Sequence, residues 1–250
     1  MVILALDTTT DTGSVALLCN GVVLDHYIGN AEVSHGRRLP GDVLRLLERQ
    51  KISIKEIDLY AVAIGPGALT GLRVGIATVQ GLAMANGKRV IAASALDALA
   101  LAVRTSHSVP DGDSVGVLMD ARRGEVFSSL FGGINDDSRE VYGEILESPS
   151  VGTIEETLTR WRSLVEPGHL WLAGNGALAS RGKTNMVSLD RFIVPTPLIA
   201  PVLGMIAEKN VTAAVDPGQV KPLYIRPPDA VLARNRLQRR SRHIDARLGC

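Results

Sequence analysis

Residues 64–83 read Ile64-Gly-Pro-Gly-Ala-Leu-Thr-Gly-Leu-Arg-Val-Gly-Ile-Ala-Thr-Val-Gln-Gly-Leu-Ala83, and the fold turns on how this stretch is read. It joins an apolar run, Leu59 to Ile64, to a segment built largely of small residues. A glycine inside a helix costs about 1 kcal/mol relative to alanine, so Gly71, Gly75 and Gly81 in one helix imply that another backbone comes very close. At roughly 100° per residue, Gly67, Gly71 and Gly75 form one row and Leu72, Ile76, Val79 and Ala83 the next. Only Arg73 and Gln80 supply a thin polar edge, which predicts a helix covered on most sides.

Gly65-Pro-Gly67 follows a strand and opens a helix, where free N–H groups hold anions in many proteins. The spacing fits no phosphate motif. A P-loop needs Lys and then Ser or Thr after its last glycine, and Gly71 is followed by Leu72 and Arg73. The dinucleotide fingerprint fails because its third glycine comes one residue late. A tight turn followed by close helix packing is the better reading.

Outward from this stretch, Val2 to Leu6, Ser14 to Cys19 and Val22 to Ile28 read as three strands in a meander, with Thr8 to Thr12 a polar turn and Gly21 a hairpin. His35 to Gln50 is predicted to be a helix. Leu39, Val43, Leu46 and Leu47 mark one side of it, Arg38, Arg45 and Arg49 another, and Pro40 falls in its first turn. Lys55 to Ile57 leads into the strand Leu59 to Ile64 and the glycine-row helix. The strand Arg89 to Ala92 and the helix Ala95 to Val103 complete a β-β-β-α-β-α unit.

Pro110-Asp-Gly-Asp113 reads as a loop between lobes, after which the pattern partly repeats. Ser114 to Asp120, Glu125 to Phe131 and Glu140 to Ile145 are predicted strands, with a turn over Ala121 to Gly124. A helix from Gly152 to Arg162, a strand from Leu170 to Ala173 and a helix from Pro201 to Asn210 follow. Two α/β lobes of related order suggest duplication. The expected division is an N-terminal lobe over residues 1–103 completed by helix 201–210, a C-terminal lobe over 104–200, and a basic tail over 221–250.

A chain of 250 residues with 46% hydrophobic and 21% charged residues supports one large domain or two lobes with a substantial core. Only 4% is aromatic, so the core must be aliphatic, which argues against a stacking surface for single-stranded nucleic acid. Cys19 and Cys250 are the only cysteines and form neither a zinc spacing nor a disulfide framework. With no apolar run approaching a membrane span and only five apolar residues between Met1 and Asp7, a cytosolic location is expected. The net charge of +1 hides asymmetry: seven arginines against Asp229 and Asp245 give residues 226–250 a charge of +5.

Four segments then reach a recognisable pattern. Leu4-Ala-Leu-Asp-Thr-Thr-Thr10, Gly65-Pro-Gly67 with Thr70-Gly-Leu-Arg-Val-Gly75, Asp120-Ala-Arg-Arg-Gly-Glu-Val126 and Ala173-Gly-Asn-Gly176 together resemble the TsaB (YeaZ) family, in order through roughly residues 1 to 226. Family members commonly have Ser-Phe at Ala68-Leu69, a change that keeps one small and one apolar residue. The resemblance implies the ASKHA fold of actin, sugar kinases and Hsp70, an α/β architecture with two ribonuclease-H-like lobes about a nucleotide cleft. It also implies a role as the non-catalytic partner of TsaD in forming N6-threonylcarbamoyladenosine beside the anticodon of tRNA, with TsaE as an ATPase that joins the pair.

TsaD resembles this fold and carries an H-x-x-x-H pair, whose histidines share one helix face and bind a metal. The matching segment here is Ala95-Leu-Asp-Ala-Leu99, apolar at both ligand positions, so no metal site and no catalytic residue are expected. His26, His35, His107, His169 and His243 are scattered. His35 stands out for its place at a helix start, where a capping or surface histidine is the ordinary reading.

By resemblance, Asp7, Thr8, Thr9 and Thr10 match the metal- and phosphate-contacting turn of nucleotide-binding relatives, and Gly174 and Gly176 flank the second lobe's nucleotide turn. Read by themselves they are turn and capping residues. No cofactor is required by this chain, and ATP or ADP is expected, if anywhere, at the interface of a complex. Asp120, Arg122, Arg123 and Glu125 read as a solvated hairpin turn or a partner or tRNA contact; a paired-carboxylate catalytic reading fails, since the arginines would keep both carboxylates ionised.

The partner interface is expected on the two N-terminal helices, at Leu39, Val43, Leu46, Gly71, Leu72, Gly75, Ile76 and Val79, packed against the equivalent pair in TsaD. Without TsaD the same surface would form a homodimer. Contact with tRNA is expected through the complex, with the arginine-rich tail as a candidate for phosphate contacts and a solvated tail as the alternative. The competing reading is a stand-alone ASKHA enzyme, metallopeptidase-like or a small-molecule kinase, for which no catalytic base can be placed.

Overall fold

The computed structural model describes residues 1–134, 142–180, 191–193 and 198–226. Its first sheet holds β1 (Val2–Asp7), β2 (Ser14–Cys19), β3 (Val22–Ile28), β4 (Leu59–Ala63) and β5 (Arg89–Ala93) in the order β3-β2-β1-β4-β5. β1–β2 and β2–β3 are antiparallel, while β1–β4 and β4–β5 are parallel. The parallel pairs need crossovers. α1 (His35–Gln50) lies in the first and α2 (Leu69–Asn86) in the second.

The second sheet holds β6 (Ser114–Asp120), β7 (Glu125–Phe131), β8 (Ile145–Thr153), β9 (Leu170–Ala173) and β10 (Phe192–Ile193) in the order β10-β9-β6-β7-β8. Read from its other edge this is the first topology again. β6–β7 and β7–β8 are antiparallel, β6–β9 and β9–β10 parallel, so β6 stands for β1 and β9 for β4.

Period-2 alternation sorts β1 between two cores. Leu4 and Leu6 join Leu17, Tyr60 and Val62 under α1 and α2. Ile3 and Ala5 join Leu18 and Ala61 on the opposite face, which α3 (Ala95–Ser106) and α5 (Ala200–Lys209) cover. α3 also packs on the second sheet through Val115 and Val117, while α4 (Ile154–Trp161) seats Trp161 on that sheet's other face beside Leu118 and Leu130. α5, although last in the chain, lies on β1, β2 and β4, where Ser14 Oγ accepts a bond from Ala200 N at 3.0 Å.

Several boundaries differ from expectation for local reasons. α1 runs over His35–Gln50 as expected, which puts Pro40 in its second turn and not its first. α4 starts at Ile154, because Thr153 and Glu156 form a reciprocal capping box that leaves Gly152 in β8. The strand expected over Glu140 to Ile145 is instead β8, which begins at Ile145; Glu140 and Val141 lie outside the described residues.

The glycine row finds its close neighbour inside this chain. A Cβ on Gly71 would come within 2.4 Å of the Thr8 carbonyl oxygen, and one on Gly67 within 2.5 Å of the Thr9 carbonyl. Gly81 does not belong with them: it is exposed and has nothing within 4 Å of its Cβ position. α2 is covered on one side only, with Arg73, Ala77, Gly81, Met84 and Ala85 exposed.

Candidate functional site: the cleft between the sheets

Four loops meet at one end of the molecule, and each follows the carboxyl end of a parallel strand: residues 8–12 after β1, 64–68 after β4, the β6–β7 turn, and 174–176 after β9. Crevices outside these strand ends are where open α/β sheets hold ligands. A cleft of about 460 Å³ lies here, lined by Thr9, Thr10, Gly67, Arg122, Asn175 and Tyr224 among others, a volume in the range of small-molecule sites.

The first wall is an Asx turn. Asp7 Oδ1 accepts from Thr9 N at 2.9 Å and from Thr9 Oγ1 at 2.6 Å, and Thr10 Oγ1 accepts from Gly13 N. Asp7 itself is fully buried, and its Oδ2 and the Thr8 hydroxyl have no hydrogen-bond partner among the described residues. Burial pushes the Asp7 carboxyl up to about 6, against the opposing pull of Thr9 and Arg38. Thr9 and Thr10 therefore face the cleft, while Asp7 and Thr8 shape it from behind.

α1 braces this turn. His35 Nε2 lies 2.9 Å from the Thr10 carbonyl, and Arg38 Nη2 lies 2.8 Å from His35 Nδ1. A carbonyl only accepts and a guanidinium only donates, so Nε2 carries the proton and the ring is neutral; burial and then Arg38 hold its pKa below the usual histidine value. Arg38 also donates to the Thr12 carbonyl and pairs with Asp42 at 2.6 Å. Arg38, expected with Arg45 and Arg49 on the side of α1 opposite its apolar residues, is instead buried at 8% exposure and belongs to the site's scaffold.

The second wall is the β6–β7 turn. Arg122 and Arg123 both take left-handed backbone conformations, with φ of 63° and 59°, at roughly 1–2 kcal/mol each. Asp120 Oδ1 accepts from Arg122 N at 2.8 Å, and Asn175 Oδ1 accepts from Asp120 N at 2.9 Å. Arg122 reaches across the cleft to Asp11 at 3.2 Å. Gly174 and Gly176 do not face the cleft as expected; both press on the Leu118 carbonyl, and Asn175 between them is the residue that lines it.

Sequence reasoning missed the third wall. Tyr224, Ile225 and Arg226 come from beyond α5 and close the cleft. No periodicity marks them, although Arg226 was visible as the first arginine of the basic run. The other six arginines of that run lie outside the described residues.

The eight residues expected at a partner interface are placed elsewhere. Leu39, Val43, Leu46, Ile76 and Val79 are buried in the core beneath α1 and α2, Leu72 is 1% exposed, and Gly71 and Gly75 face Thr8. They are structural, because the apolar side of each helix is spent on its own sheet. The outer face of the same helices carries a second apolar set: Leu44 at 57% exposure and Met84 at 59%, with Gly41, Ala77 and Gly81 also exposed.

Ala95 and Leu99 are buried on the core side of α3. Among the described residues, no three His, Cys, Asp or Glu side chains are grouped to hold a metal ion, and no helix is long and apolar enough to cross a membrane.

A family model described as TsaD, tRNA N6-adenosine threonylcarbamoyltransferase, matches residues 29–152. The tRNA threonylcarbamoyladenosine biosynthesis protein TsaB of Haemophilus influenzae is 28% identical over 235 residues, covering 90% of this chain and 94% of that protein. YeaZ from Pseudomonas aeruginosa superposes with a TM-score of 0.71 at 27% identity, over 89% of this chain and 99% of its own. The chain is similar to TsaB (YeaZ) proteins over nearly its whole length. Its fold is the ASKHA fold. The activator of 2-hydroxyisocaproyl-CoA dehydratase from Clostridium difficile, solved with bound ADPNP, shares that fold at 10% identity and a TM-score of 0.50, over 90% of this chain and all of its own. Curated TsaB relatives are named for tRNA threonylcarbamoyladenosine biosynthesis.

Proposed function

We propose that this chain is the non-catalytic activating partner of TsaD in forming N6-threonylcarbamoyladenosine on tRNA, with TsaE as the ATPase that joins the pair. The observation that carries the reading is the pair Ala95 and Leu99. By resemblance they stand where the TsaD family has its two metal-binding histidines, and here they are buried among aliphatic side chains of α3. A methyl and an isobutyl group cannot ligate an ion.

The partner surface in this proposal is the outer face of α1 and α2, at Gly41, Leu44, Ala77, Gly81 and Met84. Exposed apolar side chains beside small ones suit close helix packing. The TsaD family model matches the segment holding both helices, so a partner of that family would present an equivalent pair. Packing the two pairs about a pseudo-twofold axis gives one four-helix contact, and a second copy of this chain would serve when TsaD is absent. In the cell this places the chain in the cytoplasm and gives it tRNA through the complex.

No cofactor is required for this role. Any ATP or ADP held by this chain is assigned to the cleft, where Thr9, Thr10 and Asn175 supply polar groups and Asp7, Thr8, Gly174 and Gly176 shape the walls. A fully buried Asp7 suits it poorly to a metal–phosphate contact of its own.

The deciding experiment is threonylcarbamoyl incorporation into an A-decoding tRNA with purified TsaD, TsaE, ATP and threonylcarbamoyl adenylate synthase, with and without this protein. Product that requires both this chain and TsaD supports the proposal. Transfer by this chain without TsaD would overturn it in favour of an enzyme in its own right.

A further inference from the structure

The segment after α5 runs along the first lobe and then leaves it. Val215 pairs with Val90, Gln80 Nε2 donates to the Pro217 and Val220 carbonyls at 2.9 and 3.2 Å, and Val220 is buried. Leu223 N then donates to the Ile64 carbonyl at 2.7 Å, at the junction of β4 and α2. Here Gly65, at φ +123°, has no room for a side chain, because a Cβ would come within 2.9 Å of the Leu223 carbonyl oxygen. Arg73 Nε donates to the Tyr224 hydroxyl at 3.1 Å.

Two residues later the chain is fastened to the other lobe. Arg226 donates to the Ala121 carbonyl at 2.8 Å, pairs with Glu125, and stacks over the Phe127 ring at 5.6 Å. Ala121 is buried and Phe127 nearly so, so the guanidinium is seated on a packed surface and not on a free loop. Over four residues the backbone thus passes from the carboxyl end of β4 to the β6–β7 turn, across the cleft mouth. The only other cross-cleft ion pair among the described residues is Arg122–Asp11, in which both side chains are more than two-thirds exposed, an arrangement worth little in water.

We infer that residues 223–226 are a strap that holds the two lobes together over the cleft, so that the cleft opens only when Arg226 leaves Ala121, Glu125 and Phe127. One end is anchored in backbone hydrogen bonds of the first lobe, and among the described residues the other is held by polar contacts of Arg226 alone, with Ile225 packed against the core. The Arg226 end is therefore the release point. The inference rests on the fold and not on the proposed role with TsaD.

The test is the distance between spin labels on the full chain. Labels are placed at Glu48→Cys in α1 and Glu155→Cys in α4, both exposed, with Cys19 and Cys250 changed to Ser. Arg226→Ala is expected to broaden the distance distribution and move its mean, with unchanged far-ultraviolet circular dichroism. Glu125→Gln, which cuts the ion pair without touching the strap, is expected to shift it in the same direction and decides the matter if Arg226→Ala does not fold. Arg160→Ala, at an ion pair away from the strap, should leave the distribution as in the parent. Distributions for Arg226→Ala and Glu125→Gln that superimpose on the parent would overturn the strap.

Discussion

The Thr8 hydroxyl sits over Gly75 so closely that a Cβ on residue 75 would lie 2.1 Å from Thr8 Oγ1, and one turn earlier Gly71 faces the Thr8 carbonyl. The helix that follows β4 and the loop that follows β1 are thereby locked into one unit. The small residues of α2 exist for this contact within the chain. They leave the opposite side of α2 for another surface.

Gly71→Ala must displace backbone, so it is expected to cost about 1–3 kcal/mol, as overpacking does. Gly81→Ala meets nothing within 4 Å and lies in a helix interior, so it should stabilise by up to about 1 kcal/mol. Urea unfolding of the two variants checks the contrast. Equal effects would mean that the contact with Thr8 is not what sets the row.

Leu44 is exposed on the outer face of α1, while Leu46 is 1% exposed beneath it. Leu44→Asp is expected to leave thermal stability within about 0.5 kcal/mol of the parent, as surface changes do, and to abolish co-elution with TsaD. Leu46→Ala should instead cost about 2–5 kcal/mol. Retained co-elution of a folded Leu44→Asp protein would move the interface away from this face.

Asp42 is 1% exposed and is held by Arg38 and Arg45. Arg38→Ala leaves the buried carboxylate with only Arg45, whose side chain is 58% exposed, and is expected to cost about 3 kcal/mol, the low end for a broken buried pair. The double variant Arg38→Ala, Asp42→Ala should recover part of that loss, because no unpaired charge remains. A double-mutant cycle by denaturant unfolding measures the coupling.

An aspartate titrates near 3.8 when unconstrained, and Asp7 does so at about 6 in the folded protein. Between these values the folded state holds the extra proton, so this group's contribution is present below pH 3.8 and is lost as pH rises through 6. The difference is on the order of 3 kcal/mol. His35 works the other way: its folded pKa lies below 6.5, so its contribution is present above pH 6.5 and lost as pH falls through the folded value. Asp7→Asn should remove the first slope and leave the second, a result read from unfolding free energies measured between pH 4 and 7.

Much of the fold was legible because it is written in local periods. A continuous apolar run marked β1 as a strand buried on both faces, and the apolar side of α1 was marked by Leu39, Val43 and Leu46, since the helical turn imposes that spacing wherever the segment packs. The motif at Thr70 to Gly75 marked a close approach, because glycine in a helix interior is disfavoured without one.

What the pattern left open was the identity of the neighbour. A spacing states that a face is buried but not by what, so the row of Gly71 and Gly75 read equally well as a contact with another chain and as a seat for Thr8. Arg38 read as part of the helix's other side because its burial depends on Thr12 and His35 meeting it in space. Asn175 and the strap escaped notice for the same reason: Arg73 and Tyr224 are 151 residues apart, and nothing in either neighbourhood encodes the other. The amino-acid sequence by itself determined most of the elements and their order. Only the tertiary structure decided which buried faces belong to this chain, which polar residues reach the cleft, and which segment closes it, because those depend on packing between parts of the chain that no local period connects.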